Sequence, residues 1–158
     1  MTYNQAVELI FEQLPAYSKV GRTAIKSGLY NIDRLCAYLD DPQKKFSSIH
    51  VAGTNGKGST CHILSAIFTH CGYKTGLYTS PHLNNIRERC RIDGQMVSES
   101  IFTEFVEKIQ PVLNHILPSY FELNVALAFL RLCKGKCRYR DHRNRAGWQD
   151  GQHQYHPA

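Results

Sequence analysis

A seven-residue segment, Gly53 to Ser59, combines the residue types that bind nucleotide phosphates. Glycines let the backbone approach an anion closely, N–H groups at a helix start point toward it, and a lysine neutralises the outer phosphates. A hydroxyl in the same loop lies near magnesium in such sites. The seven predicted ATP-binding residues are Gly53, Thr54, Asn55, Gly56, Lys57, Gly58 and Ser59. Lys57 is the predicted catalytic residue, and the alternative is a glycine-rich turn without a ligand.

The spacing of this loop departs from the strict G-x-x-x-x-G-K-[ST] pattern. The first glycine is closer to the lysine, and Gly58 separates Lys57 from Ser59. The loop nevertheless stands between a short apolar run at residues 48–52 and a segment at residues 59–70 with helical spacing. Residues 73–80 have the composition of a second strand after a turn at Gly72. This strand, helix, strand order predicts an α/β fold of the P-loop type, with a parallel sheet and flanking helices.

Further helices are predicted on both sides of this unit. Thr2 is placed to cap a first helix, with Gln5 at the capping-box position. Asn31 is the predicted cap of a second helix, and Ser98 opens a third that runs to residue 116. The apolar segment 121–130 is predicted to be a core helix.

The composition indicates an ordinary globular chain. It has 158 residues, of which 42% are hydrophobic, enough to form a packed core. The first residues lack the basic and apolar regions of a signal peptide, and no stretch is long enough to span a bilayer. The six cysteines show no disulfide framework. We therefore expect a cytoplasmic protein that contacts no membrane, and we also predict that it is a monomer.

The formal charge of +6 is concentrated at one end of the chain. Seven basic and two acidic residues follow Leu130, so the last 28 residues carry +5 of the total. A charge confined in this way is weak support for nucleic-acid binding by the rest of the chain. The composition changes near Leu130, which predicts two regions, 1–130 and 131–158.

Two longer motifs resemble a known family. Residues 50–59 have the sequence H-V-A-G-T-N-G-K-G-S, and residues 79–83 have the sequence T-S-P-H-L. Both are similar to folylpolyglutamate synthase and dihydrofolate synthase, and the resemblance extends from about residue 3 to Leu130. That family belongs to the Mur ligase superfamily, in which a smaller domain follows an ATP-binding one. The resemblance implies that residues 1–130 form an incomplete N-terminal ATPase domain.

The resemblance also implies a reaction and its site residues. ATP and Mg²⁺ would convert the carboxylate of dihydropteroate or a folate into an acyl phosphate, which the amine of L-glutamate attacks to form an amide. Ser80 would bind magnesium. The residues implied to contact the substrate are Gly28, Leu29, His82, Ser119, Tyr120, Phe121 and Glu122. Another Mur-type amino-acid ligase and a non-catalytic nucleotide-binding fragment are the alternative functions.

Several of these residues have other interpretations. Ser80 with its following proline is also typical of a plain turn. His82 is equally suited to order a loop and to contact a substrate. The charged run Arg87 to Arg89 is typical of a solvated face, although an arginine near phosphates is useful. Glu122 suits the N-terminus of a helix.

The tail from 131 onward departs from the family pattern. In the family this region contains a buried strand of the type D-I-A-V-I-E and then G-L-G-G, and neither occurs here. Codons can be chosen for residues 131–148 that, read one base later, give A-F-A-K-G-N-A-D-I-A-I-I-E-T-G-L-G. We therefore predict a frame-shifted, non-native and disordered tail. A zinc site at Cys133, Cys137 and nearby histidines and an RNA-binding arm with Tyr139 and Trp148 are weaker alternatives.

Overall fold

The computed structural model describes residues 1–14 and 28–135 of the chain. Two 3-10 turns, Pro42–Lys44 and Ile86–Arg89, accompany the helices and strands in these ranges. The helices are α1 Tyr3–Gln13, α2 Tyr30–Tyr38, α3 Lys57–His70, α4 Glu99–Ile116 and α5 Tyr120–Lys134. The strands are β1 Gly76–Tyr78, β2 Cys90–Ile92 and β3 Gln95–Met96.

Helix α1 begins where the capping pattern predicts. The hydroxyl of Thr2 accepts a hydrogen bond from the N–H of Gln5 at 3.3 Å, and the Gln5 side chain accepts one from the N–H of Thr2 at 2.8 Å. This reciprocal pair satisfies two N–H groups that the helix itself leaves unpaired. Ala6 and Ile10 are fully buried, so the apolar stripe faces the core.

Helix α4 begins at its predicted capping residue, and α5 begins at a capping residue that was not predicted. Ser98 accepts a hydrogen bond from the N–H of Ile101 at 3.3 Å and opens α4. Ser119 is the N-cap of α5 and forms a capping box with Glu122. The predictions for these two helices are confirmed, and α5 continues to Lys134.

Helix α2 begins one residue before its predicted cap. Leu29 is the N-cap and makes no side-chain capping bond, whereas Asn31 lies inside the first turn. The Asn31 amide instead donates to the carbonyl of Leu117 at 3.3 Å. The prediction that Asn31 caps the helix is wrong, because this tertiary contact uses its side chain.

Helices α1, α2, α4 and α5 share one core. Its buried residues include Ala6, Ile10, Leu35, Leu39, Phe102, Val106, Ile109, Leu113, Leu123 and Leu127. The opposite face of α5 contacts the sheet, where Ala128 packs with Cys90 of β2 and with Val97. Helix α5 therefore lies between the helical layer and the sheet.

The mixed α/β class is confirmed, but the pairing within the described sheet differs from the prediction. The strands lie in the order β1, β2, β3, and both pairs are antiparallel. Residues 48–52 form no strand and are largely exposed. A P-loop strand needs hydrogen-bonded neighbours on both sides, and the described residues supply none for this segment. The prediction of a parallel sheet is therefore wrong for residues 1–14 and 28–135.

Helix α3 starts at Lys57, two residues before the predicted start, and packs against β1. Ser65 is its one buried residue, and Ile63 and Ile67 are more than half exposed. In the described ranges no helix is long and apolar enough to cross a membrane. The predictions for the tail concern mainly residues 136–158, which lie outside the described residues.

Candidate functional site

The loop from Gly53 to Ser59 leads directly into helix α3. Gly56 is the N-cap residue with φ of 77°, a left-handed conformation that glycine adopts without strain. The first helical hydrogen bond runs from the N–H of Thr60 to the carbonyl of Gly56 at 2.9 Å. The N–H groups of Lys57, Gly58 and Ser59 therefore have no acceptor within the helix. No side chain caps this end, so three N–H donors and the positive end of the helix dipole face outward together.

Lys57 lies across this loop. Its ammonium donates hydrogen bonds to the carbonyl of Gly53 and, at 2.8 Å, to the carbonyl of Thr54. The side chain thus curls back from the first helical position over the start of the loop. This places a positive charge beside the outward-facing N–H groups, an arrangement suited to an anion with several oxygens.

Ser80 follows β1, the strand that contacts helix α3. Helix α3 has 14 residues and rises about 21 Å, and the chain then turns at Gly72. The returning segment from Tyr73 to Ser80 spans about 23 Å when extended, and β1 within it contacts α3. These lengths favour a position of the exposed Ser80 near the first turn of α3.

The residues predicted to contact the substrate include three aromatic rings that the structure brings together. His82 and Tyr120 have ring centroids 6.5 Å apart. Phe121 makes an edge contact with Tyr78, the last residue of β1, at 6.3 Å. Since Tyr120 and Phe121 begin α5, the cluster joins the start of that helix to the end of β1.

Arg89 lies at the centre of this cluster, although it was not among the predicted site residues. Its guanidinium stands 5.2 Å from the centroid of the Tyr120 ring, and its Nε–H donates to Nδ1 of His82 at 2.9 Å. Arg89 is only 9% exposed, so the interpretation of residues 87–89 as a solvated face is wrong for this residue. The reason is that Arg89 ends a 3-10 turn next to the buried Cys90 of β2.

Glu88 in the same run orders the preceding loop. Its carboxylate accepts hydrogen bonds from the N–H groups of Leu83 at 2.9 Å, Asn84 at 3.0 Å and Asn85 at 2.8 Å. These bonds lower the pKa of the Glu88 carboxyl below its usual 4.5, the bond from Leu83 most of all. The spacing of Asn85 and Glu88 is that of a capping box, a signal the sequence does contain.

Burial and charge perturb the rings around Arg89. Desolvation lowers the pKa of His82 below 6.5, and the Arg89 charge lowers it further. Burial raises the pKa of both Tyr78 and Tyr120. The hydroxyls of both tyrosines and the Asn124 side-chain oxygen are buried without a hydrogen-bond partner in the described part of the chain. His82 is therefore neutral near pH 7, beside unused polar atoms.

The other residues predicted to contact the substrate lie at the starts of α2 and α5. Gly28 has φ of 84° and Leu29 is 61% exposed at the start of α2. The bond from Asn31 to Leu117 holds this end of α2 close to the segment that leads into α5. Ser119 and Glu122 bond to one another at that helix start, so both have a structural role there.

The described residues contain no group of three or more His, Cys, Asp or Glu side chains that could hold a metal. The cysteines among them form no disulfide bond; they are Cys36, Cys61, Cys71, Cys90 and Cys133. A cavity of about 410 Å³ lies between α3 and the β1–β2–β3 sheet, and none of the predicted site residues lines it. The predicted site residues therefore lie outside this cavity.

An α/β unit with an uncapped glycine loop at a helix start is the architecture of nucleotide-binding domains. No family model matches the chain. It is 35% identical to folylpolyglutamate synthase from Arabidopsis thaliana over 139 residues, covering 81% of this chain and 22% of that protein. It is 36% identical to dihydrofolate synthase/folylpolyglutamate synthase from Bacillus subtilis over 112 residues, covering 67% of this chain and 26% of that one.

Solved structures agree with these relatives. Mycobacterium tuberculosis folylpolyglutamate synthase complexed with ADP superposes with a TM-score of 0.74 at 30% identity, covering 85% of this chain and 30% of that one. The chain belongs to the folylpolyglutamate synthase and dihydrofolate synthase family. It spans about a quarter or less of the length of the two curated relatives described above.

Proposed function

We propose that this chain is the nucleotide-binding part of an ATP-dependent ligase that joins L-glutamate to dihydropteroate or a folate. The observation that carries the proposal is the start of α3, where three outward N–H groups adjoin the Lys57 ammonium. A triphosphate presents several acceptor oxygens and negative charge, which match such donors. The ADP complex of the Mycobacterium tuberculosis relative supports a nucleotide as the ligand.

In this proposal the loop positions ATP for transfer of its terminal phosphoryl group to a substrate carboxylate. The transfer yields ADP and an acyl phosphate, and the amine of glutamate then attacks the acyl carbon and releases phosphate. Charge on the transferring group has to be stabilised without covalent help from the protein. Lys57 and the N–H groups of Gly58 and Ser59 supply that stabilisation.

Magnesium fits this site as a partner of the nucleotide. It is commonly held by one or two protein oxygens together with phosphates and water. The proposed protein oxygens are the hydroxyl of Ser80 and the hydroxyl of Ser59 in the first turn of α3. When bound, the ion would neutralise charge on the transferring phosphate.

The substrate side of the site is proposed to lie along the start of α5. Tyr120 and Phe121 offer aromatic surface suited to a flat heterocycle, and His82 lies beside them. Gly28 and Leu29 border the same region from α2. We place these residues, with Ser119 and Glu122 supporting the helix start, against the pterin or its carboxylate arm.

Residues 1–130 are proposed to form part of the ATP-binding domain, with a non-native segment after them. Since the chain spans about a quarter or less of these relatives, the proposed activity of this piece is nucleotide binding without turnover. The complete ligase reaction is assigned to the whole protein.

Equilibrium binding of labelled ATP to the chain tests the proposal. Lys57→Ala should weaken ATP by about 10-fold to 100-fold, because one charge-assisted contact to phosphate is lost. Adenosine, which lacks phosphates, should bind equally to both proteins. Lys74→Ala removes an exposed lysine just beyond the other end of α3 and should leave ATP binding unchanged. Equal ATP affinity in the Lys57 and Lys74 variants would contradict the phosphate-loop assignment.

A further inference from the structure

The contact between Arg89 and His82 determines which ring nitrogen of His82 carries a proton. The Nε–H of Arg89 donates to Nδ1 of His82 at 2.9 Å. An arginine remains protonated at all pH values relevant to a folded protein, so its Nε–H acts only as a donor. Nδ1 must then offer its lone pair. A neutral imidazole with a lone pair on Nδ1 has its proton on Nε2.

Arg89 is itself held in place. Its side chain is 9% exposed, and its guanidinium lies over the Tyr120 ring at 5.2 Å. A cation over an aromatic face in a buried setting is stabilised by the ring. The backbone of Arg89 is also anchored, because its carbonyl accepts a hydrogen bond from Thr79 at 3.1 Å. The donor to His82 therefore comes from a fixed position.

The second ring nitrogen of His82 is available to a ligand. Within residues 1–14 and 28–135, Nε2 has no hydrogen-bond partner, and the His82 side chain is partly exposed. Its ring lies 6.5 Å from Tyr120 and follows Ser80 by two residues. The N–H at Nε2 is thus an unused donor on a ring that lies beside Tyr120.

We propose that Arg89 is a positioning residue that holds His82 as a neutral imidazole with its proton on Nε2, so that His82 donates a hydrogen bond to the substrate. The identity of that substrate rests on the proposed function above. The ligand atom that His82 contacts is an acceptor, such as an oxygen of the substrate carboxylate or of its acyl phosphate. His82 has no lone pair left for a metal or for a proton, so it acts neither as a magnesium ligand nor as a general base.

Nitrogen NMR of the histidine rings in the 158-residue chain tests the assignment without any ligand. The two nitrogens of a neutral imidazole have well separated ¹⁵N shifts that reveal which one is protonated. His82→Gln identifies the His82 signals by their loss. In the unmodified chain at neutral pH we expect an unprotonated Nδ1 and a protonated Nε2.

Arg89→Met removes the donor while keeping most of the side-chain volume, and His82 should then shift toward a mixture of both tautomers. Arg91→Met is the matched control, because Arg91 lies on the same segment but donates to Gly94 instead. It should leave the His82 pattern unchanged.

A protonated Nδ1 in the unmodified chain would overturn the proposal, whatever the variants show. The same holds if Arg89→Met retains the unmodified pattern, or if all proteins show the ring pattern of free histidine. The ATP-binding test with Lys57→Ala measures phosphate binding by the loop from Gly53 to Ser59, which does not include Arg89 or His82. A failure of the nucleotide assignment is therefore distinguishable from a failure of the Arg89 assignment.

Discussion

The carboxylate of Glu122 accepts hydrogen bonds from both the backbone N–H and the hydroxyl of Ser119, each at 2.7 Å. Ser119 in turn accepts a bond from the N–H of Glu122 at 3.2 Å. The two residues close the start of α5, the helix that carries Tyr120 into the aromatic cluster. The geometry makes Glu122 a support of the site.

Replacing Glu122 by alanine should lower the free energy of unfolding by about 0.5 to 2 kcal/mol, because a helix cap is lost. Glu122→Gln should cost less, since glutamine also serves at this capping-box position. Urea denaturation of the three proteins measures both effects. If both substitutions leave stability unchanged, Glu122 does not act as a cap.

Gly56 and Gly58 should respond in opposite ways to alanine. Gly56 has φ of 77°, so Gly56→Ala places a side chain in the left-handed region at a cost of about 1 to 2 kcal/mol. Gly58 lies within α3 with open space around its Cα, so Gly58→Ala should stabilise the helix by up to about 1 kcal/mol. Thermal unfolding compares the pair. Equal shifts in the same direction would show that the loop has a different backbone conformation.

His82 should make the stability of the chain depend on pH. The pKa of His82 is lowered in the folded protein. Below pH 6.5 the imidazole is therefore protonated more in the unfolded chain than in the folded chain. The stability contributed by neutral His82 is thus fully present above pH 6.5 and decreases as the pH falls toward the lowered pKa. His82→Gln should remove this component, so the stability gap between the two proteins should narrow with falling pH.

Unfolding measured from about pH 7.5 down to about 5 follows the loss of stability that begins near pH 6.5, and it stays above 4.5, from which the pKa of Glu88 is lowered. If the difference in unfolding free energy between the unmodified chain and His82→Gln stays constant over this range, the pKa of His82 is not lowered by folding.

The 158-residue chain alone should bind ATP but form no ADP in a pteroate-dependent and glutamate-dependent way. Three isoleucines, Ile49, Ile63 and Ile67, are 64%, 61% and 53% exposed, and Ile63 and Ile67 lie one turn apart on α3. We therefore also expect the chain to bind an apolar dye and to aggregate readily. Coupled measurement of ADP release tests the activity, and substrate-dependent turnover would overturn this prediction.

The nucleotide sequence around Leu130 should contain a shifted reading frame. Read one base later, the codons that follow Leu130 should encode I-I-E-T-G-L-G-G at the place of the basic tail. Sequencing the gene is the direct measurement. A shifted frame without that motif would show that the tail has another origin.

Local sequence signals predicted the helices whose signals lie within the helix or directly before it. Helix α1 was predicted from Thr2 with Gln5, and α4 was predicted from Ser98. The apolar spacing of residues 121–130 predicted α5. Each of these signals depends on residues that are close together in the sequence. The prediction that Asn31 caps α2 was wrong for the opposite reason, because the hydrogen-bond partner of its side chain, Leu117, is distant in sequence. The parallel sheet was wrong because strand pairing depends on which neighbours are present. Residues 48–52 have none among the described residues.

The candidate site was likewise predicted where the signal is local in sequence and missed where it depends on a tertiary contact. The glycine loop was predicted because its residues are consecutive, and the structure brings Lys57 back over it. Arg89 was missed because its burial depends on Tyr120, which lies on a different helix. Charge runs predict exposure only on average, and a single buried member is invisible without the tertiary contact.

The contact between Tyr3 and Phe102, with ring centroids 5.6 Å apart, constrains the order of events during synthesis. Helix α1 leaves the ribosome first, yet the apolar partners that cover it lie on α4 and α5. At a synthesis rate of about 5 to 20 residues per second, roughly 5 to 20 s pass between the synthesis of α1 and that of the residues near 102. Its apolar stripe is therefore available to chaperones throughout that interval.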